Sequence, residues 1–469
     1  MTKEDKRMKR VNVWEHYSEE QLNEVENLAV RYKECLDYAK TERESVEVAL
    51  KYATEHGYMD IKECIKENRR LSAGDKVYAE CMGKTVILFQ IGKELISTGM
   101  NILGAHIDSP RLDVKQVPLY EDTNMAYLDT HYYGGIKKYQ WVCIPLAMHG
   151  IVAKKDGTIV KVIIGEKDDD PVLAITDLLI HISQEQMEKK ASVVIEGEKL
   201  DVLVGSKPAH GYVQGAEKVK EEILRYLYAN YGIKEEDFIS AEFEIVPAGK
   251  SRDCGLDRSM IMAYGQDDRV CAFPSLFAML ETEEPERTTC CILVDKEEIG
   301  SVGATGMQSA FFKDMVAEIV ALTEGESYIK TERALRNSYM LSTDVSAAYD
   351  PLFADAFEKK NSATMGSGIV INKYTGARGK NSASDANAEY IAKIRSLFGE
   401  YMVGFQTAEM GRVDLGGGST IAYVMANYGM QVLDAGVAVL SMHAPWEITS
   451  KADIYESYKA YKVFLKYMK

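Results

Sequence analysis

The sequence lacks the cysteine spacing that marks a thiolate zinc site or a redox-active dithiol. Its eight cysteines are scattered through 469 residues, and no two are spaced as Cys-x-x-Cys. This absence excludes a zinc knuckle and a thioredoxin-like motif. In a chain of this length, scattered cysteines indicate buried thiols in a reducing compartment.

Long apolar runs are also missing. No stretch of about 18 apolar residues is present, which argues against a transmembrane helix. The N-terminal stretch MTKEDKRMKRVNVWEHYSEE is charged and does not contain the apolar core of a signal peptide. The net charge of −16 argues against binding to nucleic acid or to anionic membranes. We therefore expect a cytoplasmic protein that binds neither.

What the sequence does contain is an alternation of helical and strand-like runs from about residue 255 onward. That alternation predicts an α/β layered domain. Residues 17–70 predict helices, the first of them capped by Ser18. The chain is too long for one simple core, so a second domain or a large insertion is expected.

A middle segment differs in character and predicts an inserted domain. It holds strand-like runs at 158–165 and 191–196 and helical runs at 174–190 and 216–232. The expected organisation is an α/β domain with a mixed sheet in two parts, interrupted by this insertion, with bounds at residues 1–118, 119–248 and 249–469.

Five short segments each end an apolar run with side chains that commonly bind metals. In chain order, NILGAHIDSP, IMAYGQDDRV, ILVDKEEIGS, YMLSTDVS and AVLSMHAPWE supply His106 and Asp108, Asp267 and Asp268, Glu297 and Glu298, Asp344, and His443. Ligands gather at the carboxyl ends of the strands in open α/β sheets. We therefore expect these five segments to meet in one place.

Each segment taken singly has a simpler explanation. A histidine after a strand is more often a core or loop residue, and a strand-terminal aspartate is more often a cap or turn residue. Taken together, two imidazoles and several carboxylates match zinc, manganese or cobalt better than calcium. They exceed the needs of one catalytic zinc and predict two ions that share a bridging carboxylate.

In order and context, these segments resemble the M18 family of dinuclear zinc aminopeptidases, often called aspartyl aminopeptidases. They resemble the M42, M20 and M28 metallopeptidases more distantly. The resemblance extends to HYYGGIKKYQWV and GGGST and so spans most of the chain. It implies a catalytic α/β domain and identifies residues 119–248 as a dimerisation domain inserted into it.

The resemblance also implies a role for each matching residue. The implied metal ligands are His106 and Asp344 for the first ion, Glu298 and His443 for the second, and Asp267 as the bridge. Glu297 would be the general base, and Asp108 would orient His106. The peptide bond between Asp267 and Asp268 is implied to be cis.

Two positions depart from the pattern of the eukaryote-like members. After Asp344 those members carry histidines, whereas this chain has Ala347 and Asp350. A family histidine that reaches a neighbouring subunit's active site is replaced by Thr176, and His181 is the candidate substitute for substrate binding across subunits. These departures leave the metal ligands intact and bear on the preference for acidic N-terminal residues.

The resulting hypothesis is a cytoplasmic metalloaminopeptidase that acts on peptides with two divalent ions per chain, zinc first and cobalt or manganese as alternatives. By resemblance, it would form a homo-dodecamer built from dimers. Two alternatives stay open: a dinuclear-zinc carboxypeptidase or deacylase of the same clan, and a non-catalytic assembly protein. A basic loop with Lys373, Arg378 and Lys380 is either solvated or a clamp for a substrate carboxylate.

Overall fold

The structure is a computed structural model that describes residues 11–211 and 217–469. Residues 1–10, on which part of the signal-peptide prediction rests, lie outside this part of the chain. Within the described part the chain forms eleven α-helices, which are Glu19–Tyr38 (α1), Glu42–Glu55 (α2), Ile61–Lys66 (α3), Gln184–Met187 (α4), Lys218–Tyr231 (α5), Gln266–Glu281 (α6), Phe311–Glu324 (α7), Tyr328–Arg336 (α8), Ala388–Glu400 (α9), Ala422–Ala426 (α10) and Lys451–Tyr467 (α11).

The same residues form twenty strands, which are Met59–Asp60 (β1), Lys76–Cys81 (β2), Thr85–Gln90 (β3), Met100–His106 (β4), Arg111–Asp122 (β5), Met125–Tyr133 (β6), Leu146–Ala153 (β7), Ile159–Ile164 (β8), Val202–Gly205 (β9), Ala241–Pro247 (β10), Arg252–Cys254 (β11), Met260–Ala263 (β12), Thr288–Val294 (β13), Tyr339–Ser342 (β14), Ser346–Ala347 (β15), Ile369–Asn372 (β16), Phe405–Thr407 (β17), Gln431–Gly436 (β18), Ala438–Leu440 (β19) and Glu447–Ser450 (β20). They divide between two compact units.

The larger unit comprises the described residues up to Asp108 together with Ser251–Met442 and Glu447–Lys469. Its nine-stranded sheet has the order β1-β2-β3-β13-β4-β14-β18-β16-β17. Strands β13 and β14 flank β4 and run parallel to it, which places the carboxyl ends of three central strands side by side. The predicted α/β class with a mixed sheet is confirmed.

Strand β4 shows why this sheet lies at the centre of the unit. All seven of its residues are buried. Met100 and Ile102 pack into one hydrophobic cluster with α3, α7, α8 and α10, whereas Leu103 and Ala105 pack into another with α1, α2, α6, α9 and α11. Helices therefore cover both faces, as the continuous apolar runs of parallel strands require.

A second sheet in the larger unit has five strands in the order β11-β12-β20-β19-β15. Strand β12 precedes the Asp267–Asp268 pair, and β19 precedes His443. The five runs with predicted metal ligands therefore do not all end in one sheet. Only the runs that end near His106, Glu298 and Asp344 belong to the nine-stranded sheet.

The smaller unit comprises the described residues of Ser109–Lys250 together with His443–Trp446. It contains an antiparallel six-stranded sheet in the order β8-β7-β10-β5-β6-β9. Helix α5 packs beside β5, β6 and β9 and buries Val219 and Leu227. The predicted strand at 158–165 and the predicted helix at 216–232 correspond to β8 and α5.

Two other local predictions for this segment are wrong. The run 174–190 forms only the 3-10 turn Ile180–Ile182 and the single-turn helix α4. Residues 191–195 form turns in place of the predicted strand. The apolar side chains of Ile180 and Ile182 remain 68% and 66% exposed, so their helical spacing does not serve the core of this unit.

The helical start at Ser18 is confirmed. The Ser18 hydroxyl accepts the N–H of Gln21, and the Gln21 side chain accepts the N–H of Ser18, which is a capping box. Among the described residues, no helix combines the length and the apolar character needed to cross a membrane.

Candidate metal centre

The parallel pairing of β13, β4 and β14 brings three predicted ligands to one edge of the sheet. His106 is the last residue of β4. Asp344 follows the end of β14, and Glu298 lies in the 3-10 turn Glu297–Ile299 that follows β13. The positions of these side chains thus follow directly from the register of the central strands.

The acidic pair Asp267–Asp268 lies at the start of α6, which is buried and packs beside β4. The peptide bond between the two residues is cis, as the resemblance implied. The backbone N–H of Asp267 donates to the carboxylate of Glu447 at 3.1 Å, and the side-chain amide of Gln266 donates to the Glu447 carbonyl at 2.7 Å. These bonds fix the pair at the head of the helix.

Two groups of three ligand atoms lie within 4.8 Å of one another, namely those of His106, Asp267 and Glu298, and those of His106, Asp268 and Asp344. The imidazole Nε2 of His106 is 3.2 Å from Oδ1 of Asp267. Its Nδ1 is 3.0 Å from the carbonyl oxygen of Asp108, which accepts the Nδ1 proton. Nε2 therefore carries the lone pair that a metal would use.

The chemistry of these residues fits a divalent metal ion. One imidazole nitrogen with several carboxylates is the donor set of zinc and of its first-row neighbours. Both carboxylate oxygens of Asp268 are buried, and the donor beside them is the weakly donating thiol of Cys271. A buried carboxylate left in that state is costly unless a cation compensates it. Sequence reasoning gave Asp268 no ligand role, although the DD pair itself was visible.

The electrostatics of the site favour a cation at its centre. Burial raises the pKa of Asp268 well above its usual value, and the charge of Asp344 raises it further. Burial also raises the pKa of Asp344; His106 opposes this, while Glu297 and Asp267 add to it. Burial lowers the pKa of His106, but the neighbouring carboxylates outweigh that effect and raise it well above normal. A positive ion among these groups would relieve their mutual repulsion.

Asp108 connects the histidine to the pair of glutamates. Its buried carboxylate accepts the backbone N–H of Glu297 at 3.1 Å and that of Glu298 at 3.2 Å. The same group lies 3.4 Å from Nδ1 of His106. Sequence reasoning gave Asp108 only the histidine. The contact with the glutamate turn joins residues that are far apart in the chain, and no local pattern predicts it.

The turn after β13 gives its two glutamates different surroundings. Lys296 and Gly300, on either side of it, both adopt left-handed backbone conformations, with φ of 71° and 96°. Glu298 belongs to one of the ligand groups. The Glu297 carboxylate is 4.0 Å from Nε2 of His106, and its side chain is 15% exposed. Glu297 therefore lies beside the ligand groups and keeps some access to solvent.

The remaining two predicted site residues lie in the smaller unit. Nδ1 of His443 is 2.8 Å from the carbonyl oxygen of Gly135, and the residue has a left-handed φ of 63°. His181 is exposed in the turn Ile180–Ile182 and lines a groove of about 850 Å³ within this unit. Their roles as a metal ligand and as a substrate-binding residue stay predictions.

A mixed α/β sheet with an imidazole and carboxylates grouped at the ends of its central strands is typical of metal-dependent hydrolases. A sequence profile described as "Aminopeptidase I zinc metalloprotease (M18)" matches residues 35–465. The chain belongs to the M18 family of aminopeptidases, and its resemblance to that family is thereby confirmed. An aminopeptidase function is thereby supported over the carboxypeptidase and deacylase alternatives, whereas the non-catalytic assembly protein stays an alternative hypothesis.

Individual relatives agree with this assignment. The chain is 57% identical over 454 residues to a probable M18 family aminopeptidase 1 of Clostridium acetobutylicum, which covers 97% of each chain. A crystal structure of an M18 family aminopeptidase from Thermotoga maritima is similar with a TM-score of 0.92 and 42% identity, over 98% of this chain and 99% of that one. The structure of the mApe1 dodecamer from S. cerevisiae shares the fold, with a TM-score of 0.76 and 20% identity over 94% and 97% of the chains.

Proposed function

We propose that this chain removes amino-terminal residues from peptides in the cytoplasm with two divalent metal ions per chain, zinc first and cobalt or manganese as alternatives. One observation carries the proposal. The two ligand groups share His106 but draw on different carboxylates, which are Asp267 and Glu298 in one group and Asp268 and Asp344 in the other. Because the one free nitrogen of His106, Nε2, can bind a single ion, the four carboxylates exceed what that ion needs and support a second ion beside it.

The acidic residues of the site have different roles in the reaction. When bound, such ions supply Lewis acidity, which polarises a carbonyl group and acidifies water. Glu297 accepts the proton of the attacking water at its carboxylate and returns it to the leaving amine. Asp108 holds the backbone of both glutamates, so that Glu297 keeps its place while Glu298 acts as a ligand.

Three further assignments rest on the resemblance to the family. Asp267 would bridge the ions, His443 would bind the second ion, and His181 would contact substrate in a neighbouring subunit. The carbonyl of Gly135 supports the His443 assignment because it accepts the Nδ1 proton and leaves Nε2 for a metal.

We further propose a homo-oligomer built from dimers, with a dodecamer as the expected form. The segment from Leu178 to Met187 supports this proposal, because Leu179, Ile180, Ile182 and Met187 are each more than half exposed. Several exposed apolar side chains within one short segment are typical of a protein–protein contact. The dodecameric mApe1 shares the fold. The cytoplasmic assignment is supported by the eight cysteines, all of which are free thiols.

The adjacent glutamates offer a matched pair of variants to test the mechanism. Glu297→Gln is expected to keep two ions per chain and to lower turnover by roughly 10²-fold or more, the usual weight of a general base. Glu298→Gln is expected to lower the metal content itself. Both are measured by elemental analysis and by hydrolysis of aminoacyl-p-nitroanilides with zinc, cobalt or manganese added separately.

Two results would contradict the proposal. Equal loss of metal from both variants would show that the division of roles is wrong. Full activity of the unaltered enzyme with about one ion per chain would refute the two-metal mechanism. Peptides with blocked N-termini serve as the substrate control, because an aminopeptidase leaves them intact.

A further inference from the structure

The loop that carries the two glutamates is held in an unusual backbone conformation. It runs from Lys296 to Thr305, between β13 and the region before α7. Lys296 and Ser301 have left-handed φ values of 71° and 59°, although neither is a glycine. Such conformations are unfavourable for residues with a Cβ atom and persist only where contacts impose them.

Three buried residues close this loop at its base, and we call them the loop clamp: Thr85, Asp295 and Thr305. The hydroxyl of Thr305 donates to Oδ2 of Asp295 at 2.6 Å. The hydroxyl of Thr85 donates to the carbonyl of Thr305 at 2.5 Å and accepts the N–H of Asp295 at 3.3 Å. The Asp295 N–H also lies 3.4 Å from the Thr305 carbonyl. The clamp thus joins both ends of the loop to the start of β3.

A second contact extends the clamp into the loop. Nζ of Lys296 lies 3.3 Å from Oδ2 of Asp295. The stem of Lys296 passes so close to Gly303 that a Cβ atom at that position would lie 3.2 Å from Cδ and Cε of the lysine. The side chain next to Glu297 is therefore fixed from both sides of the loop.

The choice of a carboxylate at position 295 is informative. Asp295 is 1% exposed and feels the negative charges of Glu42 and Asp108. A buried carboxylate among like charges is unfavourable, and an apolar side chain would pack at lower cost. Its hydrogen bond with Thr305 and its ion pair with Lys296 are the two contacts that such an apolar side chain would not make.

We infer that the loop clamp positions the general base, so that Asp295, Thr305 and Thr85 are positioning residues for the reaction. The inference rests on the proposed role of Glu297. Asp108 accepts a hydrogen bond from the backbone of the glutamate turn itself, at Glu297. The loop clamp joins the two ends of the same loop through the bond between Thr305 and Asp295. A base displaced by about 1 Å loses much of its effect, so the clamp acts on turnover more than on substrate binding.

Thr305→Val tests the inference, because it removes the hydroxyl donor and keeps the shape of the side chain. We expect kcat to fall about tenfold or more, with KM within about twofold and the metal content unchanged. Thr305→Ser, which keeps the hydroxyl, is expected to retain kcat within about twofold. The matched control is Thr289→Val, since Thr289 is buried in β13 and its hydroxyl has no hydrogen-bond partner among the described residues.

Several outcomes would overturn the inference. They are an unchanged kcat in Thr305→Val, an equal loss in Thr305→Ser, or a loss of kcat that parallels the loss of metal. If Thr305→Val does not fold, Thr85→Val replaces it, because that change leaves the bond between Thr305 and Asp295 in place. Glu297→Gln in the same assay distinguishes a failure of the proposed general base from a failure of the proposed loop clamp. Full turnover in that variant would refute the proposed base, whereas an inactive Glu297→Gln beside a fully active Thr305→Val would refute only the clamp.

Discussion

The contact of Asp108 with the glutamate turn gives a prediction with a definite magnitude. Its carboxylate accepts two backbone N–H groups, at 3.1 and 3.2 Å, and is completely buried. In Asp108→Asn one of the two oxygens becomes an amide that can only donate, so one of these bonds is lost. A hydrogen bond to a charged group contributes about 1.5–3 kcal/mol.

If that energy holds the site in its reactive geometry, kcat/KM falls by roughly 10- to 150-fold. Because Asp108 also lies beside His106, metal affinity falls as well, typically 10- to 100-fold for a residue that supports a ligand. The assay therefore measures kcat/KM of Asp108→Asn with a peptide substrate at several zinc concentrations, and the value at saturating zinc is the one compared.

The control is Asp60→Asn. Asp60 also accepts a backbone N–H, from Lys62 at 2.9 Å, but it does so as the N-cap of α3, where asparagine caps equally well. We expect the kcat/KM of this control to equal that of the unaltered enzyme. Full recovery of Asp108→Asn at saturating zinc would show that Asp108 serves the histidine alone and would refute the argument from the turn.

Three further predictions concern assembly, specificity and pH. Ile180→Asp is expected to give a smaller particle by light scattering, whereas Leu256→Asp, at a fully exposed apolar position in the larger unit, is not; an unchanged size in Ile180→Asp would refute the proposed contact. Peptides with N-terminal Leu are expected to be cleaved with a kcat/KM at least equal to that for Asp, because Lys373 and Lys380 are already paired with Asp385; a strong preference for Asp would contradict this. Burial raises the pKa of Asp453 to about 7, so its contribution to stability is complete below pH 4 and is lost as the pH rises through 7. The Tm should therefore fall between pH 5 and pH 8, and less so in Asp453→Asn.

The sequence predicted those parts of the site that depend on local patterns. Each apolar run is followed by a histidine or an acidic residue. Because β13, β4 and β14 pair in parallel, the residues that follow these three strands lie at the same edge of the sheet. The start of α1 was predictable for the same reason, since a capping box is confined to four residues.

Predictions that depended on tertiary context did less well. The run 174–190 has apolar residues at helical spacing, yet the larger part of it is not helical and Ile180 remains exposed. Periodicity describes only the spacing of apolar residues along the chain. It does not show whether another part of the protein buries them. The sequence likewise did not predict that β12 and β19 belong to a second sheet, because strand pairing depends on residues far away in the chain.

Long-range contacts account for the rest of what was missed. Two sets of hydrogen bonds join common residue types that have no distinctive spacing in the sequence. They are the bond from Thr305 to Asp295 and the bonds from Glu297 and Glu298 to Asp108. Asp268 was visible as half of an acidic pair, but its burial and its distance to His106 and Asp344, which make it a candidate ligand, are apparent only in the folded chain.

The order of the nine-stranded sheet has a consequence for how the chain is made. Strand β4 ends at His106, but both of its neighbours, β13 and β14, begin at residue 288 or later. At about 5–20 residues per second, a ribosome needs roughly 10–40 s to supply the first of them. During that interval β4, in which five of the seven residues are apolar or glycine, has neither edge paired with its native neighbour. An N-terminal fragment that stops before β13 is therefore expected to aggregate, and the chain in cells to depend on chaperones until the last third has been synthesised.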